Sequence, residues 1–196
     1  MENENDKKGI IARGIQSVMD QAYRHIATQQ EVEELVEANH WDVDELIKWQ
    51  SVKAGAAGFV TGVPGFAALP VTLPANLASS LYNQLRLIAG IAHIRGYDLK
   101  DEKVQTMAIC CLLGNQVNKV LKDVAKKSLQ AAVQQYIARY SAQKLAQEVA
   151  ENLAAKIVAQ NAGKIVPLIG GVVNLVFDGA STYAIGNAAK KMFAEL

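Results

Sequence analysis

The sequence predicts an all-α protein, a compact multi-helix bundle, on three observations. Apolar residues recur at the three- and four-residue spacing of helices, and no segment sustains the two-residue alternation of a strand. Hydrophobic residues make up 51% of the chain, mostly Ala, Leu, Ile and Val, enough to fill the core of one 196-residue domain. Finally, all 32 positions of residues 54–85 are uncharged, and three of the four prolines (Pro64, Pro70 and Pro74) fall inside that run. So apolar a stretch needs a place away from water, and it predicts a Gly/Pro-rich apolar hairpin at the centre of the bundle.

Taken in order, residues 1–8 read as a polar tail without the apolar core of a secretory signal, so the expected setting is the cytoplasm. From Gly9 to Thr28, Ile10, Ile11, Gly14, Ile15, Val18, Met19, Ala22, Tyr23 and Ile26 mark one buried helix face. A short acidic helix over 30–38 carries Glu31, Glu33, Glu34 and Glu37 on a solvated face and ends at Asn39-His40. Asp42 with Glu45 three residues on forms a capping box for the next helix. In that helix Ala54, Gly58 and Gly62 make a smooth strip for close packing. Pro64-Gly65 is a turn, and Pro74 suits the first turn of the central helix, where its missing N–H costs nothing. The central helix buries Leu77, Leu81, Leu85, Ile88 and Ile91, and Gly96 closes it in the left-handed conformation. Asp101 caps the following helix, which ends near Gly114. Residues 115–162 contain neither Pro nor Gly and predict long helix with a break near Ser141. A last helix opens at Gly163-Lys164 and Pro167 and runs to about Ala194, with Lys190-Lys191 at the negative end of its dipole.

Charge is polarised along the chain: residues 1–53 carry 11 acids and 6 bases, residues 86–196 carry 8 acids and 14 bases, and the formal total is +1. Lys119, Lys122, Lys126 and Lys127 form a basic ridge without interleaved aromatics, which speaks against nucleic acid and reads either as a solvated face or as a surface for an anionic membrane. No run reaches the ~20 unbroken apolar residues of a bilayer span. Cys110 and Cys111 are adjacent, too strained to bridge and without the companions of a metal site. They read as small buried hydrophobes. His25, His40 and His93 belong to no ligand motif, and no P-loop, G-x-G-x-x-G or G-x-S-x-G occurs, so no metal or cofactor is expected and an enzyme is disfavoured.

Two polar stripes remain. Asn76, Ser80 and Asn83 on the central helix and Asn174, Asp178 and Ser181 on the last stand at i, i+4 and i+7 of otherwise apolar helices. Buried, they must pair or be hydrated. Either they face each other and fix helix register, or they line a polar pocket, the candidate site of a hydrolase.

The stretch T-G-V-P-G-F-A-A-L-P-V-T-L-P-A-N, then Q-L-R-L-I-A-G-I-A-H-I-R-G-Y-D, and the distal K-I-V-P-L-I-G-G-V-V-N-L-V-F-D-G-A-S-T-Y-A-I-G-N resemble the EcsC protein family of bacteria, most strongly over 52–98 and 163–196. The first block is also similar to a membrane-associated domain found beside some bacterial GTPases. By this resemblance Pro64, Gly65, Gln84, Arg86, Gly96, Pro167, Gly170 and Asn174 fall at recurring positions, whereas Asn76 stands where relatives often have an acid. The family takes its name from an operon with an ABC transporter, and some members are labelled hydrolases. The resemblance implies a single helical domain, cytoplasmic or peripheral to the inner face of the cell membrane. The expectation is a non-enzymatic accessory protein that binds a membrane surface, a lipid or a membrane protein such as a transporter through the Gly58 to Pro74 region, with Lys119, Lys122, Lys126 and Lys127 in electrostatic support. A hydrolase, or a protein exchanging between soluble and inserted forms, is the alternative.

Overall fold

A computed structural model describes residues 4–28, 30–55, 75–112, 142–161 and 179–193. These residues form seven helices and no strand: α1 (Glu4–Ile26), α2 (Gln30–Glu37), α3 (Val43–Gly55), α4 (Ala75–Ile94), α5 (Glu102–Cys111), α6 (Ala142–Asn161) and α7 (Gly179–Met192). The all-α bundle expected from periodicity is therefore present. Most of the hairpin expected at 54–75, the break near Ser141 and the opening of the last helix lie outside the described residues.

α4 is the hub, packing against α1, α2, α3, α5 and α7. Its sequence explains this. Leu77, Leu81, Leu85, Ile88 and Ile91 are no more than 1% exposed, and Ala78, Leu87, Ala89 and Ala92 extend the buried surface to most of the helix circumference. A helix apolar on nearly every side belongs inside a bundle. It ends where expected: Gly96 has φ +80°, its N–H donates to His93 O at 2.8 Å and the Tyr97 N–H donates to Ala92 O at 3.0 Å. This is the double bond of a Schellman cap, whose left-handed residue is cheap only for glycine.

The other caps also follow local sequence. The Glu45 N–H donates to Asp42 Oδ1 at 2.8 Å and the Asp42 N–H to Glu45 Oε2 at 3.1 Å, the reciprocal capping box of α3. The Lys103 N–H donates to Asp101 Oδ1 at 2.8 Å at the start of α5. His40 takes the left-handed turn after α2 with φ 51°. One boundary differs. α1 begins at Glu4, five residues before the expected start at Gly9, because Glu4 and Asp6 suit the positive end of the helix dipole and hydrophobic periodicity cannot register a polar first turn.

Two glycines set the spacing of the α3–α4–α7 layer. A Cβ on Gly90 of α4 would lie 2.9 Å from Leu46 Cδ2, and one on Gly186 of α7 would lie 2.8 Å from Ile47 Cγ1. Both therefore admit α3 closer than any other residue would. These contacts also fix direction. Asp44 pairs with Lys190 and Ile47 meets Gly186, so α3 and α7 run antiparallel. The Tyr97 and Phe193 rings meet edge to face at 4.9 Å just beyond α4 and α7, so those two run parallel.

Candidate functional site

The shared register identifies two ends of the layer. At one end lie the Asp44–Lys190 pair and the Tyr97–Phe193 contact; at the other lie Gly55, Ala75 and Gly179, where the described parts of α3, α4 and α7 stop or start. Five polar residues are buried among the described residues, and four of them (Gln50, Ser80, Gln84 and Thr182) fall in the second half of the layer. Counting from the Gly90–Leu46 and Gly186–Ile47 contacts at 1.5 Å per residue, Gln50, Thr182 and Gln84 come within about 5 Å of one another along the axis, with Ser80 one turn beyond.

Gln84 is the anomaly in this polar layer. It is 2% exposed, and neither its Nε2 nor its Oε1 has a hydrogen-bond partner. Leaving a buried amide unpaired costs about 1–3 kcal/mol, so the site holds unused donor and acceptor capacity inside an apolar helix. Ser79 Oγ and Arg86 Nε, on the flank of the same helix, are likewise buried without partners.

The predicted stripes are only partly visible. Ser80 is buried and Asn83 half-buried, and Asn83 uses its Nδ2 on its own helix, donating to Ser79 O at 2.8 Å. Ser181 is half-buried at the start of α7. Counted from Gly90 and Gly186, Asn83 and Ser181 are offset by about 3 Å along the axis of two helices that pack together. Asn174, Asp178 and the side chain of Asn76 lie outside the described residues, as do Lys119, Lys122, Lys126 and Lys127. Sequence reasoning missed Gln50, Gln84 and Thr182 as site residues. Gln84 was legible as the residue one turn beyond Ser80, and Thr182 as the neighbour of Ser181.

The same end carries an outer feature. The large hydrophobics exposed among the described residues are Trp49 (38%), Val52 (65%) and Tyr183 (56%), all in the halves of α3 and α7 beyond the glycine contacts. Trp49 packs on Trp41 with centroids 4.6 Å apart, and Lys53 Nζ lies 4.6 Å over the Trp49 ring. The exposed Lys48 and Lys53 flank this surface. Trp49 and Val52 with Lys53 combine apolar contact with positive charge, and Tyr183 is exposed at the same end of α7.

Cys110 and Cys111 are unbridged and at most 3% exposed, and burial, with Glu148 nearby, pushes the Cys110 thiol up to about 12. Cys111 is also driven well up, first by burial and then by Cys110. Among the described residues no three His, Cys, Asp or Glu side chains are grouped to hold a metal ion. His25, His40 and His93 sit at the ends of three different elements, His25 with its ring 6.4 Å from Tyr82.

The structure thus defines a class: an all-helical bundle around one central helix, with a polar layer and exposed aromatics at the same end, and no described helix long and apolar enough to cross a membrane. The model of the EcsC protein family matches residues 7–195, and the chain belongs to that family. Comparison with curated proteins and with solved structures returned no match.

Proposed function

We propose that this EcsC family protein is a non-enzymatic accessory protein that binds the surface of an anionic membrane through the Gly55/Gly179 end of the α3–α4–α7 layer. One observation carries the reading: Trp49, Val52 and Tyr183 are exposed in the halves of α3 and α7 at that end, and Lys53 lies over the Trp49 ring where the 32-residue uncharged run of the chain begins. Trp and Tyr favour the membrane interface, where a ring meets apolar chains and polar headgroups together. Peripheral binding is stable when apolar burial and basic charge act jointly. Lys119, Lys122, Lys126 and Lys127 would add charge of the same sign.

Co-sedimentation with vesicles tests it. Binding is expected to anionic and not to neutral phosphatidylcholine vesicles, both free of ethanolamine lipid, to weaken at high salt, and to fall about tenfold in a Val52→Glu/Tyr183→Glu variant, a loss of about 1.4 kcal/mol. The two tryptophans, Trp41 and Trp49, should shift their emission to shorter wavelength on binding. No binding to either vesicle type in low salt rules the reading out. Binding that survives both salt and the double substitution points instead to insertion of other apolar segments.

A further inference from the structure

α1 and α6 pack against each other and leave a cleft of about 380 Å³ between the first half of α1 and the middle of α6. That volume lies in the range of small-molecule sites. The cleft is open because its deep lining is small: Gly9 and Ala12 from α1, and Ala150, 1% exposed, from α6. Larger side chains there would fill it.

Charge divides across the cleft. The α1 wall supplies Lys8 and Arg13, and the α6 wall supplies Glu151. Arg13 lies back along its own helix, its Nη1 3.7 Å from the point a Cβ on Gly9 would occupy, so the absence of a side chain at Gly9 gives the guanidinium its place. Glu151 Oε1 accepts from Gln147 Nε2 at 3.0 Å, which holds the carboxylate on the α6 wall. Neither Lys8 nor Arg13 comes within the 4.0 Å of an ion pair with Glu151, although all three line one cleft. Asn5 and Gln16 add neutral amides.

An anion alone would meet Glu151, and a cation alone would meet two positive charges. A molecule carrying both charges, spaced to span the gap, satisfies each wall. We infer that this cleft binds a small zwitterion, with its phosphate or carboxylate on Lys8 and Arg13 and its ammonium group on Glu151. The planar fork of Arg13 suits the two oxygens of such an anion. The same chemistry is offered by a free solute and by the headgroup of an ethanolamine phospholipid.

Calorimetric titration of the full chain with phosphoethanolamine, beside inorganic phosphate and ethylamine, tests the site. Saturable binding of phosphoethanolamine is expected, at least about tenfold tighter than of either half-molecule, with Arg13→Gln and Glu151→Gln each weakening it by about tenfold or more. Both side chains are exposed, so the circular dichroism and thermal midpoint of each variant should match the parent. The inference is overturned if phosphate binds as tightly as phosphoethanolamine, if Glu151→Gln tightens binding, or if no saturable binding appears at millimolar concentration. Neutral phosphatidylethanolamine vesicles then separate the sources. Binding competed by free phosphoethanolamine assigns the cleft to a lipid headgroup, and free-ligand binding without vesicle binding assigns it to a soluble zwitterion; either result upholds the site.

Discussion

The two ends of the α3–α4–α7 layer are made from the same three helices and differ in how their groups are matched. At the end marked by Asp44 and Lys190, backbone, charge and side-chain volume all find partners: the Schellman cap closes α4, the capping box opens α3, and Leu46 and Ile47 fill the space left by Gly90 and Gly186. Tyr97 is the exception there, its O–H buried without a partner although its ring meets Phe193. At the opposite end Gln84 is buried with both amide atoms unpaired, and Trp49, Val52 and Tyr183 face solvent. One end matches its groups closely, whereas the other leaves a buried amide unpaired and large apolar side chains in solvent.

The largest test of this contrast is Leu46→Ala. Leu46 is fully buried against α4, and its truncation should lower the unfolding free energy by about 2–5 kcal/mol in urea titrations. Next comes a pair of glycine substitutions that look equivalent on paper. Gly186→Ala drives a methyl against β-branched Ile47, which has little rotamer freedom to yield, and a net loss of about 1–2 kcal/mol is expected from overpacking of about 1–3 offset in part by helix propensity. Gly90→Ala comes too close only to the end of the Leu46 side chain, with Val36 and Leu35 at ordinary contact distance, so its thermal midpoint should stay near the parent's. Equal losses at the two positions would show that the layer does not distinguish them.

At the Gly55/Gly179 end the sign reverses. Gln84→Leu removes an unpaired buried amide and keeps the volume, so stability should rise by about 1 kcal/mol; a clear fall would mean the amide is paired and the end is not spare capacity. A smaller effect is set by pH. Cys110 and Cys111 stay protonated in the fold to higher pH than in the unfolded chain, so their contribution to stability is complete below the ordinary thiol value of 9.0 and is lost as pH rises toward about 12. The midpoint of Cys110→Ala should accordingly change less between neutral and alkaline pH than the parent's. Smallest is Lys190→Gln: its partner Asp44 is 70% exposed, and the pair should contribute about 0.5 kcal/mol or less, vanishing in high salt.

Much of this was legible in the chain because it depends on neighbours in sequence. The core face of α4 follows from the spacing of Leu77, Leu81, Leu85, Ile88 and Ile91, and its end from Gly96, since helix geometry places those positions without reference to any other segment. The caps at Asp42 and Asp101 are equally local, because donor and acceptor are two or three residues apart. The start of α1 at Glu4 was not legible: a polar turn exposed all round carries no periodic signal.

The site divides along the same line. The sequence by itself determined that polar residues would sit on an apolar α4, that the cysteines would be buried thiols, and that the chain would be helical and belong with the EcsC family. Only the tertiary structure decided that Gln84, rather than Asn83, is the unpaired group, because Asn83 can reach the carbonyl of Ser79 on its own helix. It also decided that Trp49 faces solvent while Trp41 packs beside it, and that Lys8, Arg13 and Glu151 share one cleft. These outcomes depend on how helices distant in sequence cross, and crossing is set by where glycines such as Gly90 and Gly186 let backbones approach, a property no single segment contains.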